Sequence, residues 1–341
     1  MKAFAITAKK KIQEIEIDEP VIDSNEILLE VHYIGLCGSD LSAYRGLMPL
    51  VTLPRIPGHE ISGIIIDKGS QVPDSFKTGD KATVSPYTNC GICPACRSGR
   101  INTCEFNQTL GVQRNGALTK KIRVPYDKIF TNEKLSLQEL VLVEPMSVGY
   151  HGANRGEVRE TDTVLLIGCG TIGIGALCSA VRKGASVIAL DIDDTKLEIA
   201  KIFGANYIIN SKKEDALATI MELTKNEGAD VVIEAAGNPA TFVLALEAVS
   251  FAGRVISIGY SKEKVHFNSQ LIVRKELNIY GSRNALRVFP SVIKMFKRKE
   301  KPYSNLITKI FPFDQVPEAF KFWDENPGLV TKILINVKGG I

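Results

Sequence analysis

The chain has 341 residues, of which 45% are hydrophobic and 23% charged, as in an ordinary globular protein and unlike a disordered one. Its 42 basic and 38 acidic residues leave a net charge of +4 and form no long basic block, so nucleic acid is not indicated as a partner. A chain of 341 residues fits two domains of about 100 to 200 residues each.

The amino-terminal segment MKAFAITAKK has no apolar run long enough for a signal-peptide core and no cleavage site behind one. Residues 163–181 are uncharged for 19 residues, a length that a membrane span needs. Four glycines between Gly168 and Gly175 instead favour a strand, a turn and a helix. We therefore expect a cytoplasmic protein without a membrane partner.

The first 150 residues have a β-rich pattern, in which short apolar runs such as 27–34 and 61–66 are separated by Gly, Pro and Asp. This pattern predicts small antiparallel sheets. From residue 163 apolar strands alternate with helical segments, which predicts a parallel, doubly wound α/β sheet of six strands. The predicted strands are 164–167, 187–190, 207–209, 231–233, 255–258 and 277–280.

After Gly281 the pattern changes to two amphipathic helices, near residues 285–299 and 316–323, and a final strand at 331–337. These elements cannot bury their apolar faces alone, so we expect them to return to the first domain. The predicted domains are a catalytic domain of residues 1–152 completed by 285–341, with a dinucleotide-binding domain of residues 153–284 inserted in it.

A glycine-rich turn follows the first of the six strands and opens a helix. Gly168, Gly170 and Gly173 have the spacing G-x-G-x-x-G. The first glycine permits a tight turn, the second lets the backbone approach a pyrophosphate, and the third lets helix and strand pack closely. The helix amino terminus adds free N–H groups for the phosphates. The pattern predicts a dinucleotide site that also includes Thr171 and Ile172.

An acidic residue favours NAD over NADP. Asp191 lies 18 residues after Gly173, where a carboxylate accepts hydrogen bonds from the adenosine ribose and opposes the additional phosphate of NADP. Ile192 offers no guanidinium to that phosphate, although Lys196 is close enough in sequence to soften the preference. The remaining cofactor-binding candidates are Gly259 and Ser282.

Four of the seven cysteines, Cys90, Cys93, Cys96 and Cys104, form the pattern C-x2-C-x2-C-x7-C. Clustered thiols in a cytoplasmic protein indicate metal ligands before disulfides. Four thiolates can close around one tetrahedral zinc and leave no position open to a substrate. We predict a structural zinc that fixes a lobe at residues 88–106; an iron–sulfur cluster is the weaker alternative.

Four further candidates are dispersed: Cys37, His59, Glu60 and Glu144. Taken singly, such residues usually lie in the core or in solvent. Residues 58–63 (GHEISG), the four-cysteine lobe and the glycine-rich turn, in this order and spacing, nevertheless resemble the zinc-containing medium-chain dehydrogenases over essentially the whole chain. Glu144 stands where ethanol-type members carry cysteine, so the resemblance is closest to the polyol and sugar branch of sorbitol, threonine and hexonate dehydrogenases.

The resemblance implies a GroES-like catalytic domain in which Cys37, His59 and Glu144 hold a catalytic zinc, with a fourth position open. One thiolate, one carboxylate and one neutral imidazole cancel the charge of Zn²⁺. Glu60 as an additional ligand leaves the site at minus one and weakens its Lewis acidity, so we expect Glu60 to be a part-time ligand. The expected cofactors are two zinc ions per chain and NAD.

Ser39 matches the family position whose hydroxyl passes the substrate proton towards the cofactor ribose; the alternative is a serine that only shapes the turn. Many relatives have a histidine five residues after the cysteine, where this chain has Ser42. The resemblance therefore indicates how the proton leaves the substrate, through Ser39, but not how it then reaches solvent.

Arg283 is the principal substrate candidate, because a guanidinium pairs with a carboxylate through two hydrogen bonds and so selects a sugar acid over a neutral polyol. It could instead pair with a local carboxylate or brace the cofactor. Residues 53–60 and 282–285 resemble dehydrogenases of galactonate and related hexonates. We rank a sugar acid or polyol first, a sugar phosphate second and threonine third. The other substrate candidates are Asn284, Tyr44 and Arg55.

Two other classes of protein stay open. A non-catalytic zinc or nucleotide sensor predicts damage at the catalytic residues, and a zinc-free quinone reductase predicts their loss, whereas here both cysteine-containing sets and the glycine-rich turn are complete. Similarity to the family implies a homodimer or homotetramer.

Overall fold

The computed structural model describes residues 1–261 and 263–339. The chain separates into two compact units: the first comprises Met1–Glu144 and the segment from Phe289 onward, and the second comprises Pro145–Val288. The second unit is therefore an insertion in the sequence of the first. The functional boundaries after residues 152 and 284 stay predictions.

Residues 1–142, which belong to the first unit, form strands and short helices. In the longest strand, buried and partly exposed residues alternate from Glu26 to Val31, as expected for a half-buried strand. The strands are β1 (Lys2–Ala8), β2 (Lys11–Glu16), β3 (Glu26–Leu36), β4 (Glu60–Lys68), β5 (Lys81–Val84), β6 (Lys121–Pro125) and β7 (Ile129–Thr131). The helices are α1 (Gly38–Tyr44), α2 (Pro94–Arg97) and α3 (Leu137–Val141).

The middle of the chain alternates helices and strands. Its helices are α4 (Val143–Arg155), α5 (Thr171–Arg182), α6 (Asp194–Phe203), α7 (Ala216–Leu223), α8 (Pro239–Ala248) and α9 (Gln270–Lys275). Its strands are β8 (Thr163–Ile167), β9 (Ser186–Asp191), β10 (Tyr207–Asn210), β11 (Ala229–Glu234), β12 (Val249–Ser257) and β13 (Asn278–Gly281). The last part of the chain adds α10 (Phe289–Lys297), β14 (Ile307–Pro312), α11 (Val316–Glu325) and β15 (Lys332–Asn336).

The second unit contains a six-stranded sheet in the order β10-β9-β8-β11-β12-β13, and all of its neighbouring strands are parallel. The predicted doubly wound α/β sheet is confirmed. β12 begins at Val249, six residues before the strand predicted from residue 255. The pairing of β12 with β11 is irregular, and within the irregular part Ala252 has a φ of 54°. This irregularity interrupts the apolar pattern from which the strand was predicted.

The first unit contains a hairpin of β1 and β2 and one larger sheet in the order β14-β15-β3-β4-β5-β7, with β6 also paired to β3. The sheet is antiparallel except for the pair β14 and β15. The predicted antiparallel pairing is confirmed, but most of these strands lie in one larger sheet, because β3 pairs with β4, β6 and β15.

Each unit has its own hydrophobic core. The core of the first unit includes Phe320 of α11 together with residues of β1, β3 and β4, and that of the second unit lies around β8, β9 and β11. Within the described ranges, every helix is too short or too polar to cross a bilayer. The uncharged stretch 163–181 is divided into β8, a turn and α5.

Removal of a core side chain tests the packing of the first unit. Phe320 is fully buried, with its ring centroid 5.3 Å from that of Tyr44. We expect Phe320→Ala to lower the free energy of unfolding by about 3–5 kcal/mol, because it leaves a cavity. The fluorescence of Trp323 in α11 reports the unfolding of this unit in denaturant. The control Phe106→Ala, at a side chain that is 62% exposed, should change the free energy of unfolding by less than about 0.5 kcal/mol. Equal effects would contradict the packing.

Candidate active site

The register of β3 and β4 brings the dispersed candidates together. The two strands are antiparallel with Gly35 opposite Glu60, so the end of β3 lies beside the start of β4. Cys37 follows β3, and His59 precedes β4. The ligand atoms of Cys37, His59 and Glu60 all lie within 4.8 Å of one another, and we call these residues the Cys37 group. His59 and Glu60 are buried, and Cys37 is half-buried.

Asp40 connects the two segments of the Cys37 group. One of its carboxylate oxygens, Oδ2, accepts a hydrogen bond from the Cys37 backbone N–H at 2.9 Å. The other, Oδ1, accepts from the Gly58 N–H at 3.4 Å and lies 3.8 Å from Nδ1 of His59. Asp40 is 1% exposed, and burial raises the pKa of its carboxyl. Asp40 therefore holds the backbone of Cys37 and Gly58 in place and sets a carboxylate close to His59.

Glu60 forms a buried ion pair with Lys332. Nζ of Lys332 donates to Oε1 of Glu60 at 2.6 Å and to the carbonyl oxygen of Leu36 at 2.9 Å. Both side chains are buried. Burial alone would lower the pKa of Lys332, but the negative charges of Glu60, Cys37 and Glu144 raise it. The ammonium is therefore held in its charged form.

Glu144 lies in the first turn of α4, outside the Cys37 group, and its charge acts on His59 of that group. Its carboxylate is buried and accepts a hydrogen bond from the hydroxyl of Tyr87. Burial raises the pKa of Glu144 to about 7, despite the opposing effect of His59. Burial and the nearby Glu144 raise the pKa of Tyr87 well above its usual value, so Tyr87 stays a hydrogen-bond donor.

The chemistry of these side chains fits a divalent metal ion. Burial alone would lower the pKa of His59, but Cys37 and Asp40 raise it well above its usual value, so the site attracts positive charge. Two buried atoms, Nδ1 of His59 and Oε2 of Glu60, have no hydrogen-bond partner in the described part of the chain. A thiolate, an imidazole and carboxylates are the ligands that zinc takes in proteins.

The second cluster is the four-cysteine lobe. The sulfur atoms of Cys90, Cys93, Cys96 and Cys104 all lie within 4.8 Å of one another, and no disulfide links them. The backbone N–H groups of Glu105 and Cys96 lower the pKa of Cys93 to about 6, which favours the thiolate that binds metal. The structure thus brings together the four sulfur atoms that the spacing predicts as ligands, and this set fits a structural zinc.

The glycine-rich turn has the expected shape in the second unit. Gly168 has a φ of 96°, and a Cβ on Gly173 would lie 1.9 Å from the carbonyl oxygen of Gly168. Gly170 precedes α5, and a Cβ there would meet nothing within 4 Å, so its outer side is open. The turn is closed by its first and third glycines and stays accessible at the second, as phosphate binding requires.

Asp191 ends β9 beside this turn. Its Oδ2 accepts the Cys169 N–H at 2.7 Å, and its Oδ1 accepts the N–H groups of Ile192 at 2.7 Å and Asp193 at 3.1 Å. Three backbone donors thus fix the carboxylate, and Oδ2 can still accept one more hydrogen bond. Lys196 lies in the first turns of α6, where its backbone N–H bonds to Asp193. The arrangement can present a fixed carboxylate to a ribose.

Comparison with known proteins connects this geometry to a family. The model of the alcohol dehydrogenase GroES-like domain matches residues 23–134, and that of the zinc-binding dehydrogenases matches residues 171–298. The chain is 35% identical to sorbitol dehydrogenase of Bacillus subtilis, over 94% of this chain and 93% of the relative. It is 30% identical to L-galactonate-5-dehydrogenase of Escherichia coli, over 89% of both chains.

This chain belongs to the zinc-type medium-chain alcohol dehydrogenase family. It is therefore an oxidoreductase of a family that binds zinc and a nicotinamide dinucleotide. Among solved structures, an alcohol dehydrogenase of Escherichia coli CFT073 complexed with NADH has a TM-score of 0.91 and 30% identity, covering 99% of both chains. The predicted combination of a GroES-like domain and a parallel dinucleotide-binding sheet is confirmed.

The other predicted site residues are distributed over both units. In the first unit, Ser39 is half-buried in α1, the ring of Tyr44 packs against Phe320, and Nη1 of Arg55 donates to Asn115 at 3.3 Å. The second unit carries the remaining candidates at the carboxyl ends of its strands. They are Ile192 after β9, Gly259 after β12, and Ser282, Arg283 and Asn284 after β13.

Three residues of the candidate site were not predicted from the sequence: Asp40, Tyr87 and Lys332. Asp40 has a local signal, because an acidic residue three positions after Cys37 is a common partner for the backbone at a helix start. Tyr87 lies 57 residues from its partner and Lys332 lies 272 residues from its own. A single sequence carries no local signal for either pairing.

Substitution of Gly35 tests the geometry of the Cys37 group. A Cβ at this position would lie 2.1 Å from Oε2 of Glu60, whereas a Cβ on Gly38 meets nothing within 4 Å. We expect Gly35→Ala to displace the carboxylate and to weaken zinc binding at this site about 10–100-fold. Zinc retention against a chelator, measured beside the control Gly38→Ala, checks this expectation. Equal retention in the two variants would contradict it.

Removal of one thiol tests the four-cysteine lobe. We expect Cys104→Ser to lose one zinc ion per chain and to keep the other, because three thiolates no longer close the tetrahedral shell. Elemental analysis of the purified protein measures the loss. The control Cys178→Ser, at a buried cysteine in α5, should keep the zinc content of the wild type. An unchanged zinc content in Cys104→Ser would exclude the structural zinc.

Proposed function

We propose that this chain is a zinc-dependent, NAD-linked dehydrogenase that reversibly oxidises a secondary hydroxyl of a sugar acid or polyol to a ketone. The observation that carries the proposal is the Cys37 group, where three ligand types that suit zinc come within 4.8 Å of one another in a buried site. Membership of the alcohol dehydrogenase family supplies the reaction class.

In this proposal Cys37 and His59 of the Cys37 group hold the catalytic zinc. The family resemblance adds Glu144, from outside that group, as the third ligand and makes Glu60 a part-time ligand. When bound, zinc supplies a Lewis acid that lowers the pKa of a hydroxyl towards about 7, and NAD supplies the acceptor for two electrons. Tyr87 orients the carboxylate of Glu144 through its hydrogen bond.

Proton transfer is the task of Ser39 in this proposal. Ser39 lies in α1, two residues after Cys37, and is half-buried. A hydroxyl can accept the proton of the substrate and donate its own to a neighbour.

The preference for NAD rests on Asp191. Three backbone N–H groups fix its carboxylate at the end of β9, beside the glycine-rich turn. A carboxylate in this position accepts the ribose hydroxyls of NAD and repels the phosphate that NADP carries there. Among the solved relatives one contains NADH and another NADP, so the preference for NAD is argued from Asp191 alone.

The substrate class rests on the relatives and on Arg283. Sorbitol and L-galactonate are a polyol and a sugar acid, and the dehydrogenases named for them match this chain over about nine-tenths of its length. Arg283 follows β13, the last strand of the second unit, and a guanidinium there can pair with a carboxylate. A sugar phosphate and threonine are the next substrate classes in order.

The cofactor preference is tested by comparing the two nicotinamide dinucleotides. We expect kcat/KM with NAD to exceed that with NADP at least about tenfold, and Asp191→Asn to narrow the difference, because the repelling charge is removed. Initial rates of absorbance change at 340 nm, a wavelength at which both reduced cofactors absorb, measure both values. The control is Asp215→Asn, which alters a helix-capping aspartate of the same unit. Comparable efficiencies in the wild type would refute the preference.

The substrate class is tested with a panel of polyols, hexonates and sugar phosphates. We expect the highest kcat/KM with a hexonate or a polyol, and we expect Arg283→Ala to raise KM for hexonates about 10–100-fold because a charge-assisted pair is lost. Neutral polyols should be unaffected, as should the exposed control Arg298→Ala. An equal effect on acids and polyols would contradict a carboxylate contact, and a clear preference for sugar phosphates would overturn the proposed class.

A further inference from the structure

The buried ammonium of Lys332 has a role that structural stability does not explain. We propose that Lys332 is a positioning residue of the metal site, which holds Glu60 by one oxygen and compensates its charge so that the carboxylate can approach the ion. This inference rests on the zinc site of the proposed function and deepens it.

The position of Lys332 follows from three adjacent strands. In the order β15-β3-β4, Ile333 lies opposite Leu36 and Gly35 lies opposite Glu60. Lys332, one residue before Ile333, therefore comes level with the end of β3. Its Nζ reaches across that end and donates to the carbonyl oxygen of Leu36 at 2.9 Å and to Glu60 Oε1 at 2.6 Å. The backbone thus fixes the ammonium next to the Cys37 group.

Burial of this pair is costly in free energy. Lys332 is 4% exposed and Glu60 is 0% exposed. Two charges removed from water gain little net stability from each other, and two packed apolar side chains stabilise a fold equally well or better. The strand β15 is otherwise apolar at its centre, with Ile333, Leu334 and Ile335 all buried. An apolar residue at position 332 would therefore serve the core, so the charge points to a function.

Glu60 is held by only one of its oxygens. Oε1 accepts from Lys332, whereas Oε2 is buried and has no hydrogen-bond partner in the described part of the chain. Gly35 leaves the room for Oε2, because a Cβ there would lie 2.1 Å away. A buried carboxylate oxygen without a partner is unfavourable unless a ligand completes it. Lys332 therefore fixes the carboxylate while one oxygen stays free for an ion.

The charge of Lys332 changes the balance at the site. Among the proposed zinc ligands, the thiolate of Cys37 and the carboxylates of Glu60 and Glu144 carry three negative charges, so that the ligands and one Zn²⁺ together have a net charge of minus one. The ammonium of Lys332 brings the total to zero. Glu60 can therefore approach the ion without the excess negative charge that would weaken its Lewis acidity.

The test compares four variants of the full chain loaded with zinc or cobalt. Lys332→Met removes the charge, Lys332→Arg keeps it, Glu60→Gln removes the partner, and the double variant Glu60→Gln with Lys332→Met leaves no unpaired buried charge. The matched control is Lys338→Met, because Lys338 pairs with Glu30 at 2.5 Å in an exposed ion pair next to the same strand. The readouts are the rate of zinc loss to dipicolinate and the visible absorption spectrum of the cobalt-loaded protein.

We expect Lys332→Met to lose zinc from the Cys37 group about 10–100-fold faster than the wild type and to shift the cobalt bands, because Glu60 leaves its position. Lys332→Arg and Lys338→Met should stay close to the wild type. In the Glu60→Gln background, Lys332→Met should add nothing, since Lys332 acts through Glu60. Zinc in the four-cysteine lobe is the internal reference and should be retained throughout.

Two results would overturn the inference. The first is a Lys332→Met variant with the zinc retention and the cobalt bands of the wild type. The second is that Lys332→Met accelerates zinc loss as much in the Glu60→Gln background as it does in the wild-type background. If Lys332→Met does not fold, the double variant is measured in its place. Zinc retention in the double variant equal to that of the wild type contradicts the inference. Failure of the proposed function is a different outcome, in which the wild type binds no metal outside the four-cysteine lobe.

Discussion

The antiparallel pairing of β3 with β4 is the constraint on which the candidate site depends. Gly35 lies opposite Glu60, so the residue that follows one strand and the residue that precedes the other are neighbours in space although they are far apart in sequence. A shift of the register by one residue would turn the side chains to opposite faces of the sheet. Cys37, His59 and Glu60 owe their proximity to this register, and β15 extends it by adding Lys332 on the other side of β3.

The charges gathered at this register explain why a cation suits the site. Asp40, Glu60 and Glu144 are all buried, and burial raises the pKa of Glu144 to about 7. Without metal, Glu144 therefore holds a proton for part of the time near neutral pH. A bound divalent ion favours the carboxylate and the thiolate, so that zinc binding and proton release are linked. Tyr87 donates a hydrogen bond to Glu144, and Lys332 donates one to Glu60.

The sequence predicts those parts of the site whose residues are close together in the chain. The turn from Gly168 to Gly173 and the lobe from Cys90 to Cys104 each carry a complete spacing, and the apolar strands of the parallel sheet show their pattern directly. Lys332 could not be predicted, because a lysine at the start of a strand ordinarily lies in solvent. If Lys332 is not considered, the carboxylate of Glu60 adds one negative charge too many to the zinc site. For this reason the sequence alone predicts Glu60 only as a part-time ligand.

A crystal structure of the zinc-loaded protein with an anomalous difference map at the zinc edge tests the central claim most directly. The account predicts two peaks per chain: one among the four lobe cysteines, and one about 2.0–2.3 Å from both the sulfur of Cys37 and a ring nitrogen of His59. The lobe peak shows that zinc was present and detectable. A map with the lobe peak and none beside Cys37 would contradict the account.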